Sequence, residues 1–435
     1  MARTEECILY RDFQHGEILD TMTSLMNAYE AGAEKLADRK REFFQCVNGL
    51  VELAGMYGFS GNLWHNYLTQ LLVNHENAFS TACEIRGAVE GSINSLALSD
   101  FEIFKELYDF DLKVFDEVFH TSCCETLCSY ENINGNSKMY NQRIRDRICN
   151  MSKTLAEAVS TEEFMADMVQ FYKDFGVGKL GLHKAFRIEH DEDGKVVIAP
   201  ITRIAHVKLD DLVGYEIPKR KLIENTEAFV RGRKANNCLL FGDAGTGKSS
   251  SIKGILNRYY DEGLRIIEVY KHQFQDLNDV IAQIKNRNYK FILYMDDLSF
   301  EEFEIEYKYL KAVIEGGLEK KPDNILIYAT SNRRHLVREK ASDKLEIADG
   351  DDLHSSDTVQ EKLSLVYRFG VRIYFGAPDK KEFQNIVKVL AKRHGVKMAE
   401  DELLLEANKW ELSHGGLTGR TAQQFIDHIL GTVEQ

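Results

Sequence analysis

The stretch Gly242-Asp243-Ala244-Gly245-Thr246-Gly247-Lys248-Ser249 decides the fold of the second half of the chain. It matches the P-loop pattern, in which two glycines flank four variable residues and a lysine and a serine follow. The glycines let the backbone wrap around a phosphate, so that successive N–H groups point at it. Lys248 is then placed to contact the outer phosphates, and the Ser249 hydroxyl to bind Mg²⁺. Together with Ser250, the loop is predicted to bind a nucleotide.

The residues on either side of the loop support this prediction. An apolar run typical of a strand, Cys238-Leu239-Leu240-Phe241, precedes the loop, and a helical pattern begins at Ser249. A helix that starts at the loop directs its positive end at a bound phosphate. A glycine-rich turn without a ligand is the alternative interpretation.

A second apolar run ends in two carboxylates, Asp296 and Asp297, and Asp296 lies 48 residues after Lys248. A P-loop enzyme needs a carboxylate at the tip of a neighbouring strand to hold Mg²⁺. We therefore predict that Asp296 binds the metal together with Ser249 and that Asp297 polarises the attacking water. An acidic turn after a buried strand is the alternative.

From residue 207 onward, short apolar runs alternate with helical patterns. Five runs are predicted strands: 237–241, 264–269, 290–295, 324–329 and 371–375. Such alternation predicts an α/β core with a parallel sheet and helices on both faces. After Pro378 only helical patterns follow, which predict a helical lid.

The first 199 residues contain no proline and are rich in Leu, Phe, Glu and Ala, which predicts a mostly helical domain. Capping boxes at 99–102 and 160–163 predict two helix starts. Two β-rich runs around Asp193-Gly194 predict a hairpin. The expected division is a helical N-terminal domain at 1–175, a connector at 176–206, the α/β core at 207–377 and the lid at 378–435.

Charge is distributed unevenly along the chain. Most of the net charge of −14 lies in residues 1–200, which hold 19 Lys and Arg against 32 Asp and Glu. That excess argues against nucleic-acid binding by the N-terminal half, since such binding depends on neutralising phosphates. The sequence contains no apolar run of about 18 residues, so we do not expect a membrane span. Eight scattered cysteines and an acidic start without a secretory pattern predict a cytoplasmic protein without a disulfide framework.

With both motifs placed, residues 207–435 resemble an AAA+ ATPase. Leu212-Val213-Gly214-Tyr215 resembles the AAA+ segment that packs on adenine, which implies nucleotide contacts by Val213 and Gly214. Ala329-Thr330-Ser331-Asn332 resembles sensor 1, which implies that Asn332 contacts the γ-phosphate or the attacking water, with Thr330 as a rival. Gly419-Arg420 resembles sensor 2 and implies that Arg420 reaches the phosphates.

Arg368, just before the fifth strand, stands where an AAA+ arginine finger belongs. Such a finger acts on ATP held by a neighbouring subunit, so the resemblance implies a homo-oligomer. Arg333 and Arg334 are further candidates for contacts between subunits, because guanidinium groups match phosphate geometry. An ion pair with nearby acidic groups is the alternative for Arg368.

Three longer stretches resemble a family of uncharacterised bacterial ATP-binding proteins that share a domain of unknown function, DUF815. They are residues 296–302, 328–336 and 414–421, and the similarity extends from the connector to the C-terminus. This resemblance implies the fold and ATP binding, and it does not identify the protein on which such an ATPase would act.

Three functions are compatible with these motifs. The combination of the P-loop, the acidic end of a strand, both sensor segments and a candidate arginine finger favours an oligomeric ATPase. Such a protein would couple Mg-ATP binding and hydrolysis to remodelling of a protein client. Most AAA+ proteins have Asp-Glu where this chain has Asp296-Asp297, and the shorter Asp297 favours a slowly hydrolysing switch or scaffold as the second hypothesis. A nucleic-acid-associated loader is the third, which Lys219-Arg220-Lys221 supports and the acidic N-terminal half opposes.

Potential metal ligands also cluster in the N-terminal half, at His120, Cys123, Cys124 and Cys128. Thiolate and imidazole groups are good ligands for zinc and iron–sulfur clusters. The sequence contains no Cys-x-x-Cys pair, and cysteines in helices are more often small buried residues.

Overall fold

A computed structural model describes residues 3–32, 36, 38–88, 90–132, 139–140, 142–300, 306–315, 322–332, 336 and 365–432. The chain divides into two compact units, Met1–His183 and Lys184–Gln435. No helix in these described ranges is both long enough and apolar enough to cross a membrane.

The first unit is helical, as its composition predicts. Its described helices are α1 (Gly16–Glu30), α2 (Lys40–Tyr57), α3 (Leu63–Asn74), α4 (Ala78–Arg86), α5 (Ser92–Asp109), α6 (Val114–Phe119), α7 (Cys123–Cys128), α8 (Gln142–Glu157), α9 (Thr161–Phe175) and α10 (Gly178–Leu182). Each buries an apolar side in a common core, which includes the fully buried rings of Trp64, Phe101 and Phe104.

One of the two predicted helix starts is correct. Ser160 precedes α9, and its hydroxyl accepts a hydrogen bond from the Glu163 N–H at 3.2 Å. The start predicted at 99–102 is wrong, because α5 begins at Ser92 and continues through this segment. Asp100 lies fully buried, where its carboxylate accepts hydrogen bonds from the backbone N–H groups of residues 8–10. The local sequence does not show these distant partners, so the capping-box pattern gave a wrong helix start.

The second unit contains a seven-stranded sheet. Its strands are β1 (Ala185–His190), β2 (Val196–Pro200), β3 (Cys238–Gly242), β4 (Leu264–Glu268), β5 (Lys290–Met295), β6 (Ile325–Ser331) and β7 (Val371–Phe375). The order across the sheet is β2-β1-β4-β5-β6-β3-β7, and every neighbouring pair except β1 with β2 runs parallel. All five predicted strands are therefore present.

β5 and β6 are buried along almost their whole length, as expected for central strands of a parallel sheet that helices cover on both faces. The described helices of the unit are α11 (Glu216–Val230), α12 (Lys248–Tyr259), α13 (Leu277–Ile284), α14 (Glu306–Glu315), α15 (Lys380–His394), α16 (Glu400–Ser413) and α17 (Gly419–Thr432). The last three share an apolar core of their own and form the lid.

The hairpin expected in the connector extends the sheet. β1 pairs with β2 in an antiparallel hairpin and with β4 in parallel, so both strands lie beyond the core strand β4. The second compact unit accordingly begins at Lys184. The finer division of the chain into four parts stays a prediction.

The P-loop starts beside the end of β7, because β3 lies between β6 and β7. Gly242 has a φ of 134°, and a Cβ atom there would lie 2.1 Å from the carbonyl oxygen of Phe375. Both the backbone conformation and the close approach to another backbone therefore require glycine.

We expect Gly242→Ala to lower the free energy of unfolding by at least about 2 kcal/mol, because the added methyl group collides with backbone rather than with a mobile side chain. Urea unfolding followed by circular dichroism measures the loss. Gly431→Ala in α17 is the matched control, since its Cβ would meet nothing within 4 Å. Equal unfolding midpoints for the two variants would show that Gly242 is not needed for the fold.

Candidate nucleotide-binding site

A cleft of about 590 Å³ lies where the carboxyl ends of the parallel strands face the lid. Ligands of open α/β sheets bind at this edge of the sheet. The lining residues are 211–213, Tyr215, 244–250, Asp296, Asp297, Thr330, Asn332, Ile386, Leu390, Gly419, Arg420, Gln423 and Gln424. The structure thus brings the P-loop, both predicted carboxylates and the lid to one place.

The P-loop lysine is held inside the loop. Lys248 is 6% exposed, and its Nζ donates hydrogen bonds to the carbonyls of Gly242 at 2.9 Å and Asp243 at 2.6 Å. Burial lowers the pKa of Lys248, and the nearby carboxylates of Asp243, Asp297 and Asp296 act against that effect. Because Lys248 begins α12, its charge adds to the positive end of the helix. This arrangement can hold phosphate groups.

One carboxylate oxygen, Oδ1 of Asp296, accepts hydrogen bonds from three hydroxyl groups. Ser249 donates at 2.8 Å, Tyr294 at 2.7 Å and Thr330 at 2.5 Å. Partial desolvation, the largest effect, would raise the pKa of Asp296, but these hydrogen bonds outweigh it and lower the pKa. Asp296 is therefore ionised at neutral pH beside the Ser249 hydroxyl. Hard oxygen groups of this kind are the ligands that Mg²⁺ prefers, so the pair fits that metal.

Thr330 connects the two carboxylates. Its buried hydroxyl donates to Asp296 and accepts a hydrogen bond from the Asp297 N–H at 2.9 Å. Asp297 has a φ of 50°, an uncommon conformation for a residue with a side chain, and this hydrogen bond helps to hold it. Oδ1 of Asp297 also accepts a hydrogen bond from the Asn332 side-chain amide at 2.8 Å. The ends of β5 and β6 thus fix the orientation of the second carboxylate.

An apolar wall closes another side of the cleft. Ile386 and Leu390 of α15 line it, and Val213 packs against the apolar core of the lid. Tyr215 lines the same side, with its ring centroid 5.6 Å from that of Phe375. Apolar walls combined with a few polar groups are typical of sites for planar cofactors and nucleotides.

Hydrogen bonds from two residues of the lid, Arg420 and Arg393, attach it to the core of the same unit. The Arg420 N–H at the start of α17 donates to the Gly245 carbonyl at 3.2 Å. The guanidinium group of Arg393 in α15 donates to the carbonyls of Asp210 and Asp211, both at 2.7 Å. The lid therefore contacts the P-loop and the segment before it directly.

Most of the predicted site residues line this cleft, including Val213, Ser250, Asn332 and Arg420. Gly242 and Asp243 lie behind the lining, where their carbonyls bind Lys248. Gly214 is outside the lining and provides a turn with a φ of 80°.

Arg368 does not line the cleft of its own chain. Its guanidinium group forms an ion pair with Glu315 at the end of α14, which is the alternative that the sequence left open. Whether it also acts on a neighbouring subunit stays a prediction. Arg333 and Arg334 lie outside the described residues.

The Tyr294 hydroxyl was not foreseen from the sequence. Tyr294 lies near the end of β5, and Asp296 follows it by two residues, directly after the strand, so the strand period of two places both side chains on the same side. Burial raises the pKa of Tyr294, and the charge of Asp296 raises it further, so the phenol stays protonated and donates. The period of two along a strand could have revealed this contact.

The lining residues Gln423 and Gln424 were also not predicted. They follow Arg420 by about one helical turn, so helical spacing could have revealed them in the same way.

The possible metal ligands near α7 form ordinary contacts. Cys124 is buried, and burial raises the pKa of its thiol. Sγ of Cys123 accepts a hydrogen bond from the Thr121 hydroxyl at 2.9 Å. Within the described part of the chain, no group of three or more His, Cys, Asp and Glu side chains could hold a metal ion.

A mostly parallel sheet of this order, with a P-loop after β3, carboxylates after β5, a polar residue after β6 and a helical lid, defines an AAA+ P-loop protein. The chain belongs to the family described as "Protein of unknown function (DUF815)", whose model matches residues 181–433. Both resemblances found in the sequence are confirmed.

Solved structures of RuvB from Thermotoga maritima are similar over part of the chain. One RuvB mutant is 19% identical over 51% of this chain and 63% of that one, with a TM-score of 0.36. The structure described as the RuvB Holliday junction branch migration motor is 15% identical over 51% and 71%, with a TM-score of 0.32. The chain thus covers less than two thirds of the first of these proteins. No curated protein matches the chain.

We expect Thr330→Val to lower the free energy of unfolding at pH 7 by about 1–2 kcal/mol, because Asp296 and the Asp297 N–H both lose a hydrogen-bond partner. The folded-state pKa of Asp296 is below its usual value of about 3.9. Its contribution to stability is therefore complete above about pH 4 and is lost as the pH falls through the folded-state pKa. The difference between wild type and variant should shrink over that range.

Denaturant unfolding of both proteins at several pH values measures this difference. Thr330→Ser is the control, since it keeps the hydroxyl; the loss of a buried methyl group lowers its stability equally at every pH, so its pH dependence should be that of wild type. A loss in Thr330→Val that stays the same below about pH 4 would show that Asp296 does not depend on Thr330.

Proposed function

We propose that this protein binds Mg-ATP in the cleft and hydrolyses it as an oligomeric ATPase. One observation carries the proposal: the Ser249 hydroxyl contacts the ionised carboxylate of Asp296 in a cleft that Lys248 also lines. A hydroxyl, a carboxylate and an ammonium group in this arrangement match a metal ion and the triphosphate that it accompanies.

The phosphates of ATP would lie on the P-loop. Backbone N–H groups of residues 244–249 and the positive end of α12 would surround them, with Ser250 in the first turn of the helix. Lys248 would turn from the carbonyls of Gly242 and Asp243 to the outer phosphates. The adenine would pack on Val213 and Gly214 against the apolar wall of the lid.

Ser249 and Asp296 would hold Mg²⁺, Asp296 through a water molecule. Bound Mg²⁺ would neutralise negative charge on the phosphates. The hydroxyls of Tyr294 and Thr330 keep Asp296 ionised and fix its orientation, which prepares the carboxylate for this role.

Asp297 would orient and polarise the attacking water. The water oxygen would form a bond to the γ-phosphorus while the bond from that phosphorus to the bridging oxygen of ADP breaks, and a proton of the water would pass to the Asp297 carboxylate. Asn332, which already contacts Asp297, would bind the water or the γ-phosphate, and Arg420 would approach the phosphates from the lid. Aspartate is one methylene shorter than glutamate, so we expect slow turnover.

A second candidate is a nucleotide-dependent switch or scaffold. It is favoured by the hydrogen bond from Asn332, which occupies Oδ1 of the residue that would polarise the water. Such a protein would bind ATP, hydrolyse it rarely and use it to hold an oligomer or a partner. Turnover well above about one per minute would argue against this alternative.

The partners of the chain belong to the same proposal. Arg368 would act on ATP bound to a neighbouring subunit, and its side chain is 36% exposed, so it remains accessible for that contact. The acidic first unit would engage a protein client, and its charge makes nucleic acid a poor partner. Eight free cysteines suit the reducing cytoplasm, where we place the protein.

We expect Lys248→Ala to weaken ATP binding by at least about tenfold and to remove turnover, because the loop loses the charge that faces the outer phosphates. Isothermal titration calorimetry and phosphate release measure the two effects. Lys253→Ala, at an exposed position of the same helix, should change neither. Turnover that persists in Lys248→Ala, or is absent from wild type in every oligomeric state, would contradict the proposal.

The proposed role of Arg368 predicts that two inactive variants complement each other. Arg368→Ala keeps its own P-loop, and Lys248→Ala keeps its arginine, so a mixed oligomer contains intact composite sites. Equimolar mixing should therefore give more turnover than either variant alone, while light scattering confirms that both assemble. Arg372→Ala on β7 is the control and should be active unmixed. Mixed oligomers without recovered activity would show that Arg368 does not act between subunits.

A further inference from the structure

Asp243, the second residue of the P-loop, binds the chain at the point where it enters the lid. Its carboxylate accepts a hydrogen bond from the Ala377 N–H at 2.8 Å. Its own N–H donates to the Phe375 carbonyl at 3.0 Å. A phosphate-binding loop gains nothing electrostatically from a second negative charge, so this carboxylate needs an explanation other than phosphate contact.

The same residue also holds the P-loop lysine. Lys248 Nζ donates to the Asp243 carbonyl at 2.6 Å, and the Thr246 hydroxyl donates to that carbonyl at 2.8 Å. The main chain of Asp243 therefore responds to the position of Lys248, while its side chain fixes Ala377. A movement of the Asp243 peptide must change at least one of these contacts.

The link from Ala377 to the lid is stiff. Pro378 follows directly, and its ring restricts the backbone. Asp379 then caps α15, and its carboxylate accepts a hydrogen bond from the Glu382 N–H at 2.8 Å in a complete capping box. A displacement at Ala377 is therefore carried into the first lid helix rather than absorbed by a loose linker.

We propose that Asp243 is a positioning residue that couples the contacts of Lys248 to the orientation of the lid. When Lys248 turns to the phosphates of bound ATP, its bond to the Asp243 carbonyl is released, and the shifted Asp243 carboxylate moves the lid through Ala377. This coupling rests on the proposed function, because it requires a nucleotide that Lys248 contacts.

Hydrogen exchange of the segment 374–380 tests the coupling, measured by mass spectrometry on the full chain with and without Mg²⁺ and a non-hydrolysable ATP analogue. In wild type we expect the analogue to change exchange in this segment. In Asp243→Ala the Ala377 amide should exchange faster, on the order of tenfold, and the response to the analogue should disappear. Asp243→Asn keeps a side-chain oxygen that can accept the bond, so it should retain most of the protection.

Steady-state kinetics supply a readout that general destabilisation would not give. We expect Asp243→Ala to lower kcat at least about fivefold while KM changes less, because binding groups remain and lid positioning is lost. Asp243→Asn should lose less than Asp243→Ala. Asp401→Ala, at an exposed aspartate of the lid away from the cleft lining, is the matched control and should resemble wild type in exchange and kinetics.

The outcomes separate the coupling from the proposed function. If wild type binds the analogue and Asp243→Ala keeps both the protection and the response of wild type, the coupling is overturned and nucleotide binding stands. An Asp243→Asn variant as impaired as Asp243→Ala would also overturn it, since charge rather than the hydrogen bond would then matter. If wild type binds no nucleotide, the proposed function fails and the coupling fails with it.

Discussion

The position of β3 between β6 and β7 is the constraint on which the site depends. Thr330 near the end of β6 and Asn332 directly after it lie on one side of the P-loop, and β7 leads into the lid on the other. Parallel strands end at the same edge of the sheet, so this order brings the P-loop, the polar side chains after the neighbouring strands and the lid together. The glycine at position 242 is needed because the neighbouring backbone of Phe375 approaches so closely.

Hydroxyl groups rather than cations stabilise the charge of Asp296. Three hydroxyls donate to a single oxygen of this carboxylate, and one of them, Thr330, also holds the backbone of Asp297. A cation in the same place would compete with a metal ion for the carboxylate, whereas neutral donors leave its charge available. The network thus keeps this carboxylate ionised without neutralising it, and Lys248 is bound to carbonyls of its own loop.

Much of this arrangement could be predicted from the sequence, because local patterns encode it. The P-loop, the strand before Asp296 and the helices after Pro378 each carry their signal within a few consecutive residues. Contacts between distant segments carried no such signal. The buried role of Asp100 and the bond between Asp243 and Ala377 depend on packing that a linear pattern does not contain. Tyr294 is intermediate: its contact with Asp296 joins residues that are only two positions apart, so the period of two along a strand could have revealed it.

A crystal structure of the chain with Mg²⁺ and a non-hydrolysable ATP analogue would show directly whether the cleft binds Mg-ATP. We expect one nucleotide per chain, with its phosphates on the N–H groups of residues 244–249, the metal on the Ser249 hydroxyl and the base against Val213 and the lid. A nucleotide bound elsewhere, or a metal held away from Ser249 and Asp296, would contradict this expectation.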